Sequence, residues 1–260
     1  MFHTIKKGSL EYLTADALEG AIHCFSTRYG GVSEGQFSTL NLGTSRGDKF
    51  ENVVENYRIL GSAVGFTPEE VVHTWQEHTD IILRVGKSDC GKGLFRNQPD
   101  VCDGLITNEP GVALVCFAAD CTPILFYDPV QRVVAAIHAG WRGTVKEIAK
   151  KTVMLMQTKY QCDPLDIRCA IGPSIGPCCF TFGSEATEIF PSSYCKEMED
   201  GRFLVDIWRM NQDQLLSQGI RAEHIDLSNL CTVCHADTFY SYRTHQEHTG
   251  RQAAVIMLRP

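Results

Sequence analysis

Ala119-Asp120-Cys121-Thr122-Pro123-Ile124-Leu125-Phe126-Tyr127-Asp128-Pro129-Val130-Gln131-Arg132-Val133-Val134-Ala135-Ala136-Ile137-His138 reads as two apolar strands around one turn. Asp128-Pro129 opens the turn, with Asp at its first position and Pro, whose φ is preset, at its second. With Pro129 and Val130 as the central residues, Cys121 falls opposite His138 on an antiparallel hairpin. Their Cβ atoms are then about 5 Å apart and on the same side. That is close enough for a shared metal or a thiolate–imidazole pair. A one-residue bulge would misalign them, and Pro123 offers no amide to the ladder, so this end of the pair is expected to be irregular.

Further strands are expected at residues 21–27, 71–76, 81–85, 104–107, 112–118, 167–171, 239–242 and 253–258. Several are apolar on both faces, as in Val112-Ala113-Leu114-Val115-Cys116-Phe117. Strands of that kind are buried from both sides, so helices or a second sheet must cover them. Helices are expected at 51–65, where Val54, Tyr57, Leu60 and Val64 share a face and Gly65 ends the run. A second runs over 144–160, opened by a Thr144-x-x-Glu147 capping box. A third spans 206–218, with Gly219 as its C-terminal stop. The pattern is that of a layered α/β sandwich. No repeat, low-complexity tract or linker interrupts it, so one domain over 1–260 is the expectation.

Composition narrows the function. Hydrophobic residues form 43% of the 260, enough for a full core, and the formal net charge is −7. No cluster of Lys or Arg stands out against that charge, which argues against nucleic acid as a partner. No stretch approaches the roughly 18 apolar residues of a membrane span. The N-terminal Met1-Phe2-His3-Thr4-Ile5-Lys6-Lys7-Gly8 lacks the apolar segment of a secretory signal. Twelve cysteines in such a chain are therefore expected to be reduced, in the cytoplasm, most of them structural and one or two chemically active.

Beyond His138, Ala139-Gly140-Trp141-Arg142-Gly143-Thr144 leads into a helix. Two glycines before a helix start let backbone approach an anion, with phosphate the natural candidate and Arg142 beside it. The competing reading is a tight turn with Gly for geometry alone. A third ligand for a Cys121–His138 metal must come from elsewhere. His73 and His78 are five apart, so on a regular strand they point to opposite faces and cannot both serve; spacing does not choose between them. His245 and His248 read as surface loop, and His3, His23 and His224 as structural. Cys231-Thr232-Val233-Cys234-His235 fits a haem-attachment pattern, which the missing export signal argues against. Nor does a second C-x-x-C complete a zinc knuckle. The adjacent Cys178-Cys179 reads as structural.

These blocks, in order, resemble one family. They are Phe25-Ser26-Thr27-Arg28, Gly30-Gly31-Val32-Ser33, Asn41-Leu42, Gln76-Glu77-His78, Asp103-Gly104-Leu105-Ile106-Thr107, Ala119-Asp120-Cys121-Thr122-Pro123, His138-Ala139-Gly140-Trp141-Arg142-Gly143, Ile171-Gly172-Pro173-Ser174-Ile175 and Phe239-Tyr240-Ser241-Tyr242-Arg243. The chain is similar, from about residue 20 onward, to the laccase-domain or multicopper polyphenol oxidoreductase family, now described as purine nucleoside phosphorylases. The resemblance implies an α/β/β/α sandwich shared with toxin deamidases that use a Cys–His pair. It implies one Zn2+ held by His78, Cys121 and His138, which selects His78 over His73. It further implies phosphorolysis of adenosine, inosine or methylthioadenosine, with adenosine deamination. The expected partners are thus a purine nucleoside and phosphate.

Arg28, Asn41, Asp103 and Arg142 are the expected phosphate or substrate contacts, with Asp103 a candidate acid for the leaving base. Two other chemistries compete. Copper in the same three-ligand site could oxidise phenols, although nine histidines without one H-x-H cannot build a multicopper cluster. A metal-free Cys121 nucleophile with His138 as base could act as a hydrolase or amidase on a cell-wall or peptide substrate. The oligomeric state is left open.

Overall fold

The computed structural model describes residues 1–259. In chain order its strands are β1 Phe2–Lys7, β2 Leu10–Ala15, β3 Ile22–Ser26, β4 Val71–His73, β5 Ile82–Arg84, β6 Gly104–Thr107, β7 Ala113–Ala118, β8 Thr122–Asp128, β9 Val133–Ala139, β10 Arg168–Ile171, β11 Thr181–Phe182, β12 Cys195–Glu197, β13 Phe203–Val205, β14 Ile225–Leu227 and β15 Gln252–Met257. The helices are α1 Phe50–Val64, α2 Trp141–Val145, α3 Ile148–Tyr160, α4 Ala186–Ile189, α5 Ile207–Ser217 and α6 Tyr242–His245.

Two six-stranded sheets carry the fold, one ordered β1-β2-β3-β15-β7-β4 and the other β14-β10-β8-β9-β6-β5. The doubly apolar strands explain the layering. Leu114 and Cys116 of β7 and Leu125 of β8 meet Ala136, Ala254 and Ile256 between the sheets. Ala113, Val115 and Val255 face the other way, onto Val53, Tyr57 and Leu60 of α1. On the far side, Ile124, Phe126, Ala135 and Ile137 pack under Ile148, Val153 and Met156 of α3 and Leu215 of α5. The order is α/β/β/α, as expected. Burying each Leu, Ile or Phe of these layers contributes on the order of 1.5–3 kcal/mol. A three-stranded sheet, β11-β13-β12, with Phe180, Val205 and Trp208 forms a smaller cluster beside them.

Three local expectations are corrected. The β8–β9 connection is a four-residue loop: Asp128 pairs with Val133, while its Oδ1 accepts the amides of Val130 and Gln131 at 2.8 and 2.9 Å. Pro123, rather than Cys121, therefore lies opposite His138. The slip is two residues, so side-chain parity survives. Next, the helix expected over 144–160 is broken, because Thr144 lies inside α2 with its hydroxyl turned to Asn211. Glu147 then takes φ 60 and α3 begins at Ile148, so no capping box forms. Finally, residues 239–242 form no strand. Phe239 and Tyr240 are core residues, and the Tyr240 amide is satisfied by Gln252 Oε1 at 2.8 Å instead of by a ladder.

β1 and β2 were not expected at all. Most residues of β1 are exposed, with only Phe2 and Ile5 half-buried, leaving little apolar signal.

Candidate active site and metal centre

His138 is the penultimate residue of β9, buried at 3% exposure. Cys121 stands one residue before β8, turned by Asp120, whose φ of 91 would be strained in an ordinary strand. Asp120 is held there by Thr232, whose hydroxyl donates at 2.6 Å, and by the Arg243 amide, also at 2.6 Å. Cys121 thus reaches His138 through a bend at the strand end, not through direct cross-strand pairing.

His78 arrives from a loop. β4 ends at His73, and Gln76 then mimics the missing strand: its Oε1 accepts the Phe117 amide at 2.7 Å and its Nε2 donates to the Phe117 carbonyl at 3.0 Å. The chain then curls around Asp103. The amides of Glu77, His78 and Thr79 donate to that carboxylate at 3.2, 3.1 and 2.6 Å, and the Thr79 hydroxyl at 2.7 Å. Strand parity therefore has no bearing on His73 and His78, since only His73 is on a strand. His73 is buried against Tyr57 and Phe117.

The same Asp103 carboxylate meets His138 Nδ1 at 2.7 Å. One buried acid thus shapes the loop that carries one histidine and orients the ring of the other. With Nδ1 committed, Nε2 is the His138 atom left for a ligand. One ligand atom each from His78, Cys121 and His138 lie within 4.8 Å of one another, and His78 Nε2 is 3.8 Å from Cys121 Sγ. The donor set, a thiolate and two imidazoles with a carboxylate behind one, fits a metal ion of borderline softness.

Electrostatics point the same way. Burial would raise the Cys121 thiol, but the facing charge of His138 and the hydrogen bonds from both histidines outweigh it, and the pKa falls to about 6. For His138, burial lowers the pKa, whereas the Cys121 thiolate and Asp103 raise it further, to about 9. Asp103 is pushed up by burial and down more strongly by His138 and Thr79, so it stays ionised. Without a metal, both shifts favour a thiolate beside an imidazolium.

Gly140 decides whether the trio can close. A Cβ there would stand 2.6 Å from His78 Cδ2 and 3.3 Å from both Cys121 Sγ and His138 Cε1. At Gly143 it would stand 3.0 Å from the Thr79 carbonyl. These glycines serve the packing of the ligands, which supports the competing reading of this turn, Gly for geometry.

The trio lies in the wall of a cavity of about 610 Å³, together with Phe117, Trp141, Phe180 and Tyr242 and the cations Arg46, Arg243 and Arg251. The other expected contacts do not line it. Arg28 donates to the Ser38 and Ala236 carbonyls and lies over the Tyr240 ring, which makes it a clamp. Asn41 is fully buried and bonds Gly43, Asp48 and the Arg251 amide. Asp103 is behind His138 with its lone pairs taken. Arg142 is exposed and lies over Trp141, 4.3 Å from the ring centroid.

The cations of the cavity were missed instead. Burial and the nearby Arg46 lower the Arg251 pKa to about 10. Among the described residues, neither Arg46 nor Arg251 forms an ion pair. Isolated arginines in polar loops give a sequence nothing by which to single them out.

A family model described as "Multi-copper polyphenol oxidoreductase laccase" matches residues 22–259. "Purine nucleoside phosphorylase YlmD" of Geobacillus stearothermophilus is 39% identical over 251 residues, covering 93% of this chain and 92% of that protein. A "Purine nucleoside phosphorylase" of Bacteroides thetaiotaomicron is 34% identical over 264 residues, covering 98% of each. The crystal structure of YlmD from Geobacillus stearothermophilus superposes with a TM-score of 0.92 at 38% identity over 99% of both chains. Among the described residues, no helix is long and apolar enough to cross a membrane.

Proposed function

Since the chain belongs to the multi-copper polyphenol oxidoreductase laccase family, we propose that it is a purine nucleoside phosphorylase whose centre is the His78, Cys121 and His138 trio. The observation that carries this reading is the pairing of that trio with unpaired arginines and aromatic rings in one cavity. Arg46 and Arg251 suit phosphate, which they can grip through paired N–H groups. Phe117, Trp141, Phe180 and Tyr242 suit the flat apolar faces of a purine. The whole of 1–260 is read as one catalytic unit. Its proposed setting is the cytoplasm, where the twelve unpaired thiols remain reduced.

In this mechanism the arginines hold phosphate against the sugar, so that its oxygen replaces the purine at the anomeric carbon. Holding both partners in one cavity supplies much of the rate, because a bimolecular encounter becomes an internal step. Asp103 is a positioning residue: buried and ionised, it fixes the His138 ring and the His78 loop. It is not the acid for the leaving base, since it has no contact with the cavity. The proposed cofactor is zinc, with His78, Cys121 and His138 as ligands; copper would take the same donors. Bound there, the ion would supply a Lewis acid with one open position toward substrate, which also suits deamination of adenosine.

Incubating the purified protein with adenosine, with and without phosphate, tests the reading. Adenine and ribose-1-phosphate in the phosphate tube are expected, and inosine in either tube marks the deaminase. No purine product in either tube refutes both activities.

A second reading has its own observation. Cys121 and His138 rest as an ion pair backed by Asp103, the arrangement of a cysteine hydrolase. The two separate on chelation. Purine chemistry lost to a strong zinc chelator and restored by zinc supports the metal centre, whereas chelator-resistant hydrolysis of a peptide or cell-wall amide supports the nucleophile.

A further inference from the structure

Far along the chain from the trio, four thiols converge that the proposed reaction does not use. Gly176-Pro177-Cys178-Cys179 forms a turn, with Pro at its second position and the Cys179 amide donating to the Gly176 carbonyl at 2.9 Å. Cys231-Thr232-Val233-Cys234 forms another, closed by the His235 amide on the Cys231 carbonyl at 3.0 Å. A parallel bridge between Ser174 and Cys231 lays the two turns side by side. The four sulfurs then lie within 4.8 Å of one another. Cys178 and Cys179 are 3.6 and 3.5 Å from Cys234, and Cys231 accepts the Gly176 amide at 3.3 Å.

We propose that Cys178, Cys179, Cys231 and Cys234 form a second metal site, a four-thiolate site for zinc. The spacing suits it. Zinc–sulfur bonds of about 2.3 Å place the sulfurs of a tetrahedron about 3.8 Å apart, close to the two separations from Cys234. An amide directed at a ligating sulfur is what stabilises its thiolate charge. A disulfide is the poorer account, since Cys234 stands equally near two partners and any one bond leaves two thiols of the cluster unused. The C-x-x-C half-knuckle has its other half in a C-C pair, which a search for a second C-x-x-C passes over. Binding releases the thiol protons to solvent and involves no change of oxidation state.

The site would act as a staple beside the cavity. Thr232, between two of the ligands, holds Asp120, the residue before Cys121. Arg243, which lines the cavity, donates to the Cys179 carbonyl and to Thr181 Oγ1 at 3.1 Å each. The cluster thereby ties both turns to the wall that carries the trio.

Two measurements test this. The first is the zinc content of the wild-type protein, Cys121→Ala and the double variant Cys178→Ser/Cys234→Ser, purified with zinc in the medium. The double variant should carry about one equivalent less than wild type, whatever the trio holds; equal zinc in the two overturns the proposal.

The second uses the native wild-type chain and does not depend on the variant folding. Cys234 is exposed, so a free thiol there would be open to labelling by iodoacetamide. Protection lifted by a chelator alone is expected. Immediate labelling, or protection lifted only by a reductant, overturns the proposal. A structural staple further predicts that the double variant, if folded, raises KM for nucleoside several-fold more than it lowers kcat.

Discussion

Two clusters of side chains that could hold a metal sit on the same sandwich and are built in opposite ways. The trio His78, Cys121 and His138 is assembled from three separate segments, and one buried carboxylate, Asp103, organises two of them. It has three ligand atoms and a cavity in front, the arrangement that leaves a position for substrate. The quartet Cys178, Cys179, Cys231 and Cys234 comes from two short turns, two of its four residues are exposed, and it offers a fourth sulfur where the trio faces a cavity. In the proposed roles, what separates a reactive centre from a staple is ligand count together with the group behind the ligands.

That contrast breaks most readily at Asp103. Asp103→Ala would orphan three part-buried backbone amides and the buried His138 ring together. Removing a buried charged acceptor of this kind costs about 3–5 kcal/mol. Chemical denaturation should show a loss of that order, and the protein should lose the trio's metal while keeping the quartet's. Asp103→Asn should keep more of the fold and still weaken metal binding 10–100-fold, the usual effect of removing a carboxylate behind a ligating histidine. Both are measurable by zinc competition with a chromogenic chelator.

Next in size is the steric requirement at Gly140. Gly140→Ala places a methyl group 2.6 Å from the His78 ring, so the ring must move. A loss of at least 10-fold in kcat/KM is expected, since misplacement near 1 Å costs on the order of 100-fold, with little change in Tm. The quartet should be unaffected, which zinc analysis would confirm.

A subtler prediction sharpens the division of labour inside the cavity. Arg251→Gln should raise KM for phosphate about 10–100-fold, the worth of one charge-assisted contact, and leave the metal in place. Arg142→Ala should change kcat/KM by less than about 5-fold, because an exposed cation stacked on Trp141 contributes on the order of 0.5–1 kcal/mol at most. Steady-state kinetics at varied phosphate would check both.

Acid separates the core from the site. Burial pushes the His73 imidazole down to about 3, below its unfolded value. The folded state thus prefers neutral His73, and its contribution is complete above about pH 6.5 and lost as pH falls toward 3. At pH 5 the loss is about 2 kcal/mol. His73→Phe should flatten this part of the stability curve, followed by urea denaturation between pH 7 and 5, without changing the metal content.

Much of the fold was legible because β7, β8 and β9 are apolar on both faces, a pattern that only a covered sheet satisfies. The juxtaposition of Cys121 and His138 survives the different turn: a slip of two residues keeps every side chain on its face, and the bend at Asp120 makes up the distance. Gln76 as a surrogate strand, the loop wrapped on Asp103 and the arginines of the cavity were not legible. Each depends on a side chain answering backbone or solvent far away in sequence, which local periodicity does not record. Thr144 failed as a cap for the same reason, being claimed by Asn211.

The central claim is that purine chemistry runs on the trio. Its most direct test is to follow adenosine with phosphate, by product identification, for wild type and for a folded Cys121→Ala that retains the quartet's zinc. Adenine and ribose-1-phosphate from wild type, with at least a 100-fold lower rate from the variant, is the predicted result. Equal phosphorolysis by the two proteins would contradict it.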